Sequence, residues 1–315
     1  MDEGSVGHLA LDDFVHSLPD IGGGLRSKAL ELTPHLAQLL LDSQSHNRHI
    51  KRDLVDRLAR DIREGRWQLN AQPILLDSEG HLGDGQHRCQ AVIQAQIAVQ
   101  VVVTYGIAPT AFPTLDSGRS RTPADLLSLK GEKATGNLTA ALNLISLDKR
   151  GAMKRNRWSE AATNPEREQL LEEHPEIRDS VAVCEKAKAV ISVGILAYVY
   201  WRGHQVAESL ADVFVEALAT GANLSEDNPA FVLRETLLRN KGSRNKKLQR
   251  PVVVAYSIKA FNAFLKQEPM RMLSWKARED FPEFISREQL DSFEAARTAI
   301  SSLPTVESQP EVTTG

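Results

Sequence analysis

Apolar positions recur at both strand and helix spacing in the first third of the chain, and at helix spacing alone beyond it. Thr33-Pro34 opens a predicted helix through Leu36, Leu39 and Leu40, with proline in the first turn, where its missing N–H costs nothing. A second predicted helix, about 52–64, gathers Leu54, Val55, Leu58 and Ile62 on one face and stops at Gly65. Pro73-Ile74-Leu75-Leu76 reads as a strand and Ser78-Glu79-Gly80 as its turn. Cys89, Val92, Ile93 and Gln96 then fall at helical spacing, and residues 97–104 are rich in β-branched types and read as a buried strand. Residues 28–121 therefore predict a small mixed α/β domain. Residues 1–27 read as a loosely attached leader ending in a flexible joint, Gly22-Gly23-Gly24.

From residue 122 strand signals almost vanish. Helical patterns follow at about 124–130, 137–149, 166–172, 176–189, 191–202, 205–219, 229–240 and 251–266, punctuated by prolines and glycines. Residues 122–301 thus predict an all-helical domain, and the polar, aperiodic residues 302–315 a disordered tail. The fold class is α+β.

Composition narrows the function classes. With 315 residues the chain can bury two modest cores. Apolar content of 42% and charged content of 25% are ordinary for a soluble globular protein. A net charge of −3 argues against a uniformly basic nucleic-acid coat, so any such contact must come from a local patch. Cys89 and Cys184 lie far apart without metal-type spacing, and read as reduced core side chains of a cytoplasmic protein. No apolar run reaches membrane-spanning length, so no membrane partner is expected.

The chemistry concentrates in Asp84-Gly85-Gln86-His87-Arg88, where a strand reading passes into a helix reading. Free backbone N–H groups and the helix macrodipole make such a turn a natural seat for a phosphate. Gly83 and Gly85 permit close backbone approach, and Arg88 can add a fork of donors. Asp-Gly is equally an ordinary chain reversal, so both readings stand at this point. Two further loops offer cations or amides beside helix ends: Asn47-Arg48, and Asp116-Ser117-Gly118-Arg119. Each is also read as a cap or a surface ion pair. His46 and His49 have no third ligand at zinc spacing and read as polar surface. A basic run over 234–250 contains Arg239, Lys241, Arg244, Lys246 and Lys247, a candidate contact for nucleic-acid phosphates or simply a solvated loop.

The segment Gly83-Asp84-Gly85-Gln86-His87-Arg88 with Ala91 resembles the signature of the ParB/sulfiredoxin-like superfamily. The spacing from Asn47-Arg48 to the motif fits that unit, and the basic 234–250 run resembles ParB-like "nuclease domain" proteins of phages and actinobacteria. The resemblance implies a nucleotide-binding domain over about 28–120, with an NTP (CTP or ATP) and Mg²⁺. Gly85, Gln86, His87 and Arg88 would then cradle the phosphates. Sulfiredoxin needs a cysteine immediately before His-Arg; here that residue is Gln86, so sulfinic-acid repair is not expected. The Asp-Gly-x-His-Arg form is closer to the family's serine kinases, although their catalytic glutamate has no assigned counterpart here.

These readings predict an NTP-dependent phosphotransferase or NTPase. Gly85, Gln86 and Arg88 would hold phosphates, with Asn47, Arg48, Asp116 and Arg119 nearby. His87 would contact the transferred group or shuttle a proton, and Asp84 would place Mg²⁺ or the acceptor. The alternative is a DNA-binding partition or regulatory module switched by nucleotide, using the 234–250 run. A metal-dependent nuclease built on Asp77, Asp84 and Asp116 ranks last.

Overall fold

In the computed structural model, residues 11, 13–44, 49–114, 121–155, 157–158, 160–222, 224–241 and 248–301 are described. They belong to two units: residues 1–135 with 145–152 and 157–173, and residues 136–144 with 153–156 and 174–315.

The first unit is built on a five-stranded sheet. Its strands are β1 (Asp20–Gly22), β2 (Leu25–Leu32), β3 (Ile74–Asp77), β4 (Leu82–Asp84) and β5 (Val99–Ile107), in the order β1-β2-β5-β3-β4. β2 runs antiparallel to β5, and β3 runs parallel to β5 with Ile74 opposite Val103. Helices α1 (Pro34–Asp42), α2 (Arg52–Arg63) and α3 (Gln86–Ala95) accompany the sheet, and residues 13–17 are helical as well. Thr33 caps α1 through its hydroxyl, with Pro34 in the first turn as the sequence predicts. Leu40, Val55, Ala59, Ile62, Ile74, Leu76, Cys89, Val92 and Val103 form the core between sheet and helices. α4 (Pro123–Leu129), opened by a Thr122/Asp125 capping box, and α6 (Asn164–Glu173) belong to the same unit.

α5 (Thr135–Lys149) precedes α6 in the chain, and the regular elements described in the second unit are helices, with residues 266–286 in irregular chain. It contains α7 (Ile177–Cys184), α8 (Val193–His204), α9 (Glu208–Thr220), α10 (Pro229–Lys241), α11 (Arg250–Leu265) and α12 (Arg287–Ser301). α8 is apolar nearly all round and is buried over most of its length. Gly194 and Gly203 let it pass close to neighbours: a Cβ at Gly194 would lie 2.5 Å from that of Ala140, and one at Gly203 would enter the Phe261 ring. Phe214 packs edge-on against Phe261 and Phe264.

Four expectations need correction. Residues 13–27 are not a loose leader: Val15 and Leu18 are core, and β1 and β2 pair as a hairpin. Gly23 and Gly24 both have positive φ, the conformation that a tight two-residue hairpin turn demands, so the glycines are a turn and not a joint. The boundary expected at residue 121 does not divide the units, because α4 and α6 belong with the sheet. α12, absent from the predicted helices, spans the last described residues.

Candidate functional site

The motif forms a strand–turn–helix unit. β4 ends at Asp84, Gly85 caps α3 with φ 111°, and α3 begins at Gln86. Only glycine fits there: a Cβ would stand 2.9 Å from Ile74 Cγ1, and the conformation is left-handed. At Gly83 a Cβ would enter the Phe112 ring. The amides of Arg88 and Cys89 donate to the Gly85 carbonyl. Arg88 clamps the turn from inside: Nη1 donates to the Gln72 carbonyl, and Nη2 donates to the Pro73 carbonyl at 2.8 Å and to Asp84 Oδ2 at 2.9 Å. Part of the guanidinium expected to fork a phosphate is therefore committed to the chain, while Nε and the second Nη1 proton are outside these bonds. His87 is buried, and its Nε2 accepts the Lys51 amide N–H at 3.0 Å, which fixes the Nδ1–H tautomer. His87 thereby positions the start of α2. Gln86 is buried beside it.

The turn opens on a cleft of about 260 Å³ lined by Leu54, Leu58, Trp67, Asn70, Gln72 and residues of the motif. That is just below the roughly 300 Å³ at which ligand pockets usually begin. A wider cleft of about 670 Å³ shares Leu54, Leu58, Trp67 and Asn70 with it, and adds Arg57, Asp61, Arg66, Arg167 and Glu168. Leu54, Arg57, Leu58 and Asp61 follow helical spacing, so one face of α2 lines both. Trp67 is oriented by its indole N–H, which donates to the Gln100 carbonyl at 2.9 Å.

The carboxylates of the wider cleft are engaged. Asp61 Oδ1 accepts from Arg66 Nε at 2.9 Å and from Thr163 Oγ1 at 2.8 Å. Glu168 pairs with Lys130 at 2.8 Å. Arg57 is half-buried and makes no hydrogen bond or ion pair with any described residue. Arg167 is buried, with Nη1 donating to Asn164 Oδ1 at 2.8 Å. Burial pushes the Arg167 pKa down to about 10, against the pull of Glu166 and assisted by the charge of Arg57.

One residue before Arg167 lies an ionic centre that sequence reasoning missed. Glu166 accepts from Arg60 Nη2 at 3.0 Å, from Arg150 Nη1 at 2.9 and 3.1 Å, and from the Ser146 hydroxyl. Its backbone and side chain also form a capping box with Thr163. Burial acts to raise its pKa, but the Ser146 hydrogen bond and the charges of Arg150 and Arg60 hold it below the usual carboxylate range. Every near neighbour is a donor, so Glu166 anchors α6 to α2. The Thr163-x-x-Glu166 spacing was a legible cap signal; the burial was not.

The remaining predicted residues divide as follows. Asn47, Arg48, Asp116, Arg119, Arg244, Lys246 and Lys247 lie outside the described residues. Lys241 donates to the Ala189 carbonyl at 3.0 Å, Arg234 to those of Leu218 and Ala219, and Arg250 to that of Ala140, while Arg239 is exposed. Asp77 accepts the amides of Glu79 and His81 and so serves the β3–β4 turn. Among the described residues no group of three His, Cys, Asp or Glu is placed to hold a metal, and Asp84 is bonded to Arg88. Cys89 is buried and its thiol is pushed up to about 12 by desolvation; burial raises Cys184 as well. Among the described residues no helix is long and apolar enough to cross a membrane. No family model matches the chain, and neither a curated protein nor a solved structure does.

Proposed function

We propose that this chain is a nucleotide-binding protein of the ParB/sulfiredoxin-like kind. A nucleoside triphosphate would lie along the α2 groove with phosphate oxygens at the turn of residues 84–88. The observation that carries the reading is the continuity of lining: the glycine turn at the head of α3 opens into a groove of nucleotide size walled by Trp67. The positive end of the α3 dipole and the uncommitted donors of Arg88 suit an anion there. Phosphoryl transfer or hydrolysis is the reaction class such a site would serve. In this arrangement His87 is a positioning residue, because its Nε2 is occupied by Lys51. DNA contact through 234–250 has weaker support, since Arg234, Lys241 and Arg250 are spent on backbone carbonyls.

Calorimetric titration of the full chain with CTP, ATP and GTP, with and without Mg²⁺, tests the reading. Asp84→Asn removes a negative charge beside the phosphates, and should tighten binding several-fold without Mg²⁺. Arg88→Lys should weaken it about tenfold, the loss of one charge-assisted hydrogen bond. The reading fails if no nucleotide binds, or if both variants bind as the parent does.

A further inference from the structure

We propose that the pocket where α8 and α11 begin and α10 ends binds a small anionic amphiphile, whose aliphatic chain lies on the pocket floor and whose carboxylate meets Lys188, Lys241 and Arg250. The site lies wholly in the second unit and does not depend on what the turn of residues 84–88 holds.

The pocket measures about 580 Å³, a volume that suits a small organic ligand. Its floor is aliphatic: Val190, Ile191, Ile195 and Leu237 line it and are buried. No aromatic ring is among the described lining residues, so the wall suits a flexible hydrocarbon rather than a stacked base. Three cations complete the lining. Lys241 Nζ donates to the Ala189 carbonyl and Arg250 Nη2 to the Ala140 carbonyl, each at 3.0 Å, bonds that hold the head groups at the pocket but leave their charges unneutralised. Lys188 makes no side-chain hydrogen bond or ion pair with any described residue. Residues 186–207 and 236–267, which supply all of the described lining except Ala140, contain no Asp or Glu. Arg250 keeps solvent contact, yet desolvation pushes its pKa down and no acid opposes the shift. The positive ends of α8 and α11, neither capped by a side chain, add to the field. Cations of one sign beside an apolar wall repel one another and focus a positive potential into the pocket, and an anion relieves both. A bare ion would gain nothing from the aliphatic floor, and a neutral hydrocarbon nothing from the cations. One molecule that carries both features uses the whole pocket.

Sodium decanoate, titrated calorimetrically into the full chain below its micelle concentration, is the probe. The parent should bind it about tenfold more tightly than octanoate, because two more methylenes are buried. Acetate and decylammonium should not bind, the first for want of a chain and the second for its charge. Lys188→Glu should weaken decanoate at least tenfold, whereas Lys188→Arg, which keeps the charge, should bind as the parent does. Without ligand, Lys188→Glu should melt with the parent, since Lys188 has no partner among the described residues to lose. The proposal is overturned if the parent does not bind decanoate, if decylammonium binds as well as decanoate, or if chain length makes no difference. It is also overturned if Lys188→Glu binds equally, or if that variant melts clearly lower and so reveals a role in the fold.

Discussion

Helices α2 and α6 carry two arginine settings of opposite character. In one, Arg60 joins Arg150 around Glu166, and the carboxylate is saturated with donors. In the other, three residues earlier on α2 and one later on α6, Arg57 and Arg167 line a cleft in which Asp61 pairs with Arg66, Glu168 with Lys130, and Arg167 itself with Asn164. Charges of the same kind on the same helices thus serve different ends. The first setting is closed and holds the fold; the second lines a cleft.

The widest separation between the settings should appear on removing the central charge. Glu166→Gln leaves Arg60 and Arg150 without their counter-charge, and should cost about 3–5 kcal/mol in denaturant unfolding. A cost under about 1 kcal/mol would mean that the centre is not a lock. Because the folded pKa of Glu166 is depressed, its contribution is present above the unfolded value near 4.5 and is lost as pH falls through the folded value. The parent should therefore lose stability below about pH 4.5 more steeply than Glu166→Gln does, as read from melting temperature against pH.

Gly85→Ala should strike fold and ligand together, since the turn both packs on Ile74 and forms the head of the groove. The strained φ and the close contact predict a loss of about 1–3 kcal/mol by denaturant midpoint. Arg57→Gln is the complementary case: Arg57 makes no ion pair with a described residue, so its loss should leave stability within about 0.5 kcal/mol of the parent by denaturant midpoint. The smallest expected signal comes from the thiols. Cys89 and Cys184 should stay unreactive towards an aromatic disulfide reagent in the native protein and react only on unfolding. Prompt native labelling would show that the packing around α3 or α7 opens readily.

Much of the local architecture was legible in the residues. The helices from 123 to 265 follow apolar spacing and proline or glycine stops, and Thr33-Pro34 and Thr122-Pro123 mark their own helix starts. β2 escaped because Leu25-Arg-Ser-Lys-Ala-Leu-Glu-Leu has no clean alternation, and its pairing with β5 spans some seventy intervening residues. β4, three residues long and too short for any period, was legible only as the strand that leads into the motif. At the site, the turn at Gly85 was readable from Asp-Gly and the following helix. That Arg88 turns back onto Gln72 and Pro73 was not, because those carbonyls reach it only once β3 and α3 pack.

By itself the sequence determined where helices begin and end, and that a glycine turn leads into α3, because capping, spacing and backbone freedom act over a few residues. Tertiary structure alone decided which charges meet. Arg60, Arg150 and Glu166 meet from three distant segments, and Arg57 nears Arg167 across more than a hundred residues of chain. Electrostatic energy depends on distance and burial, and neither exists until those segments fold together.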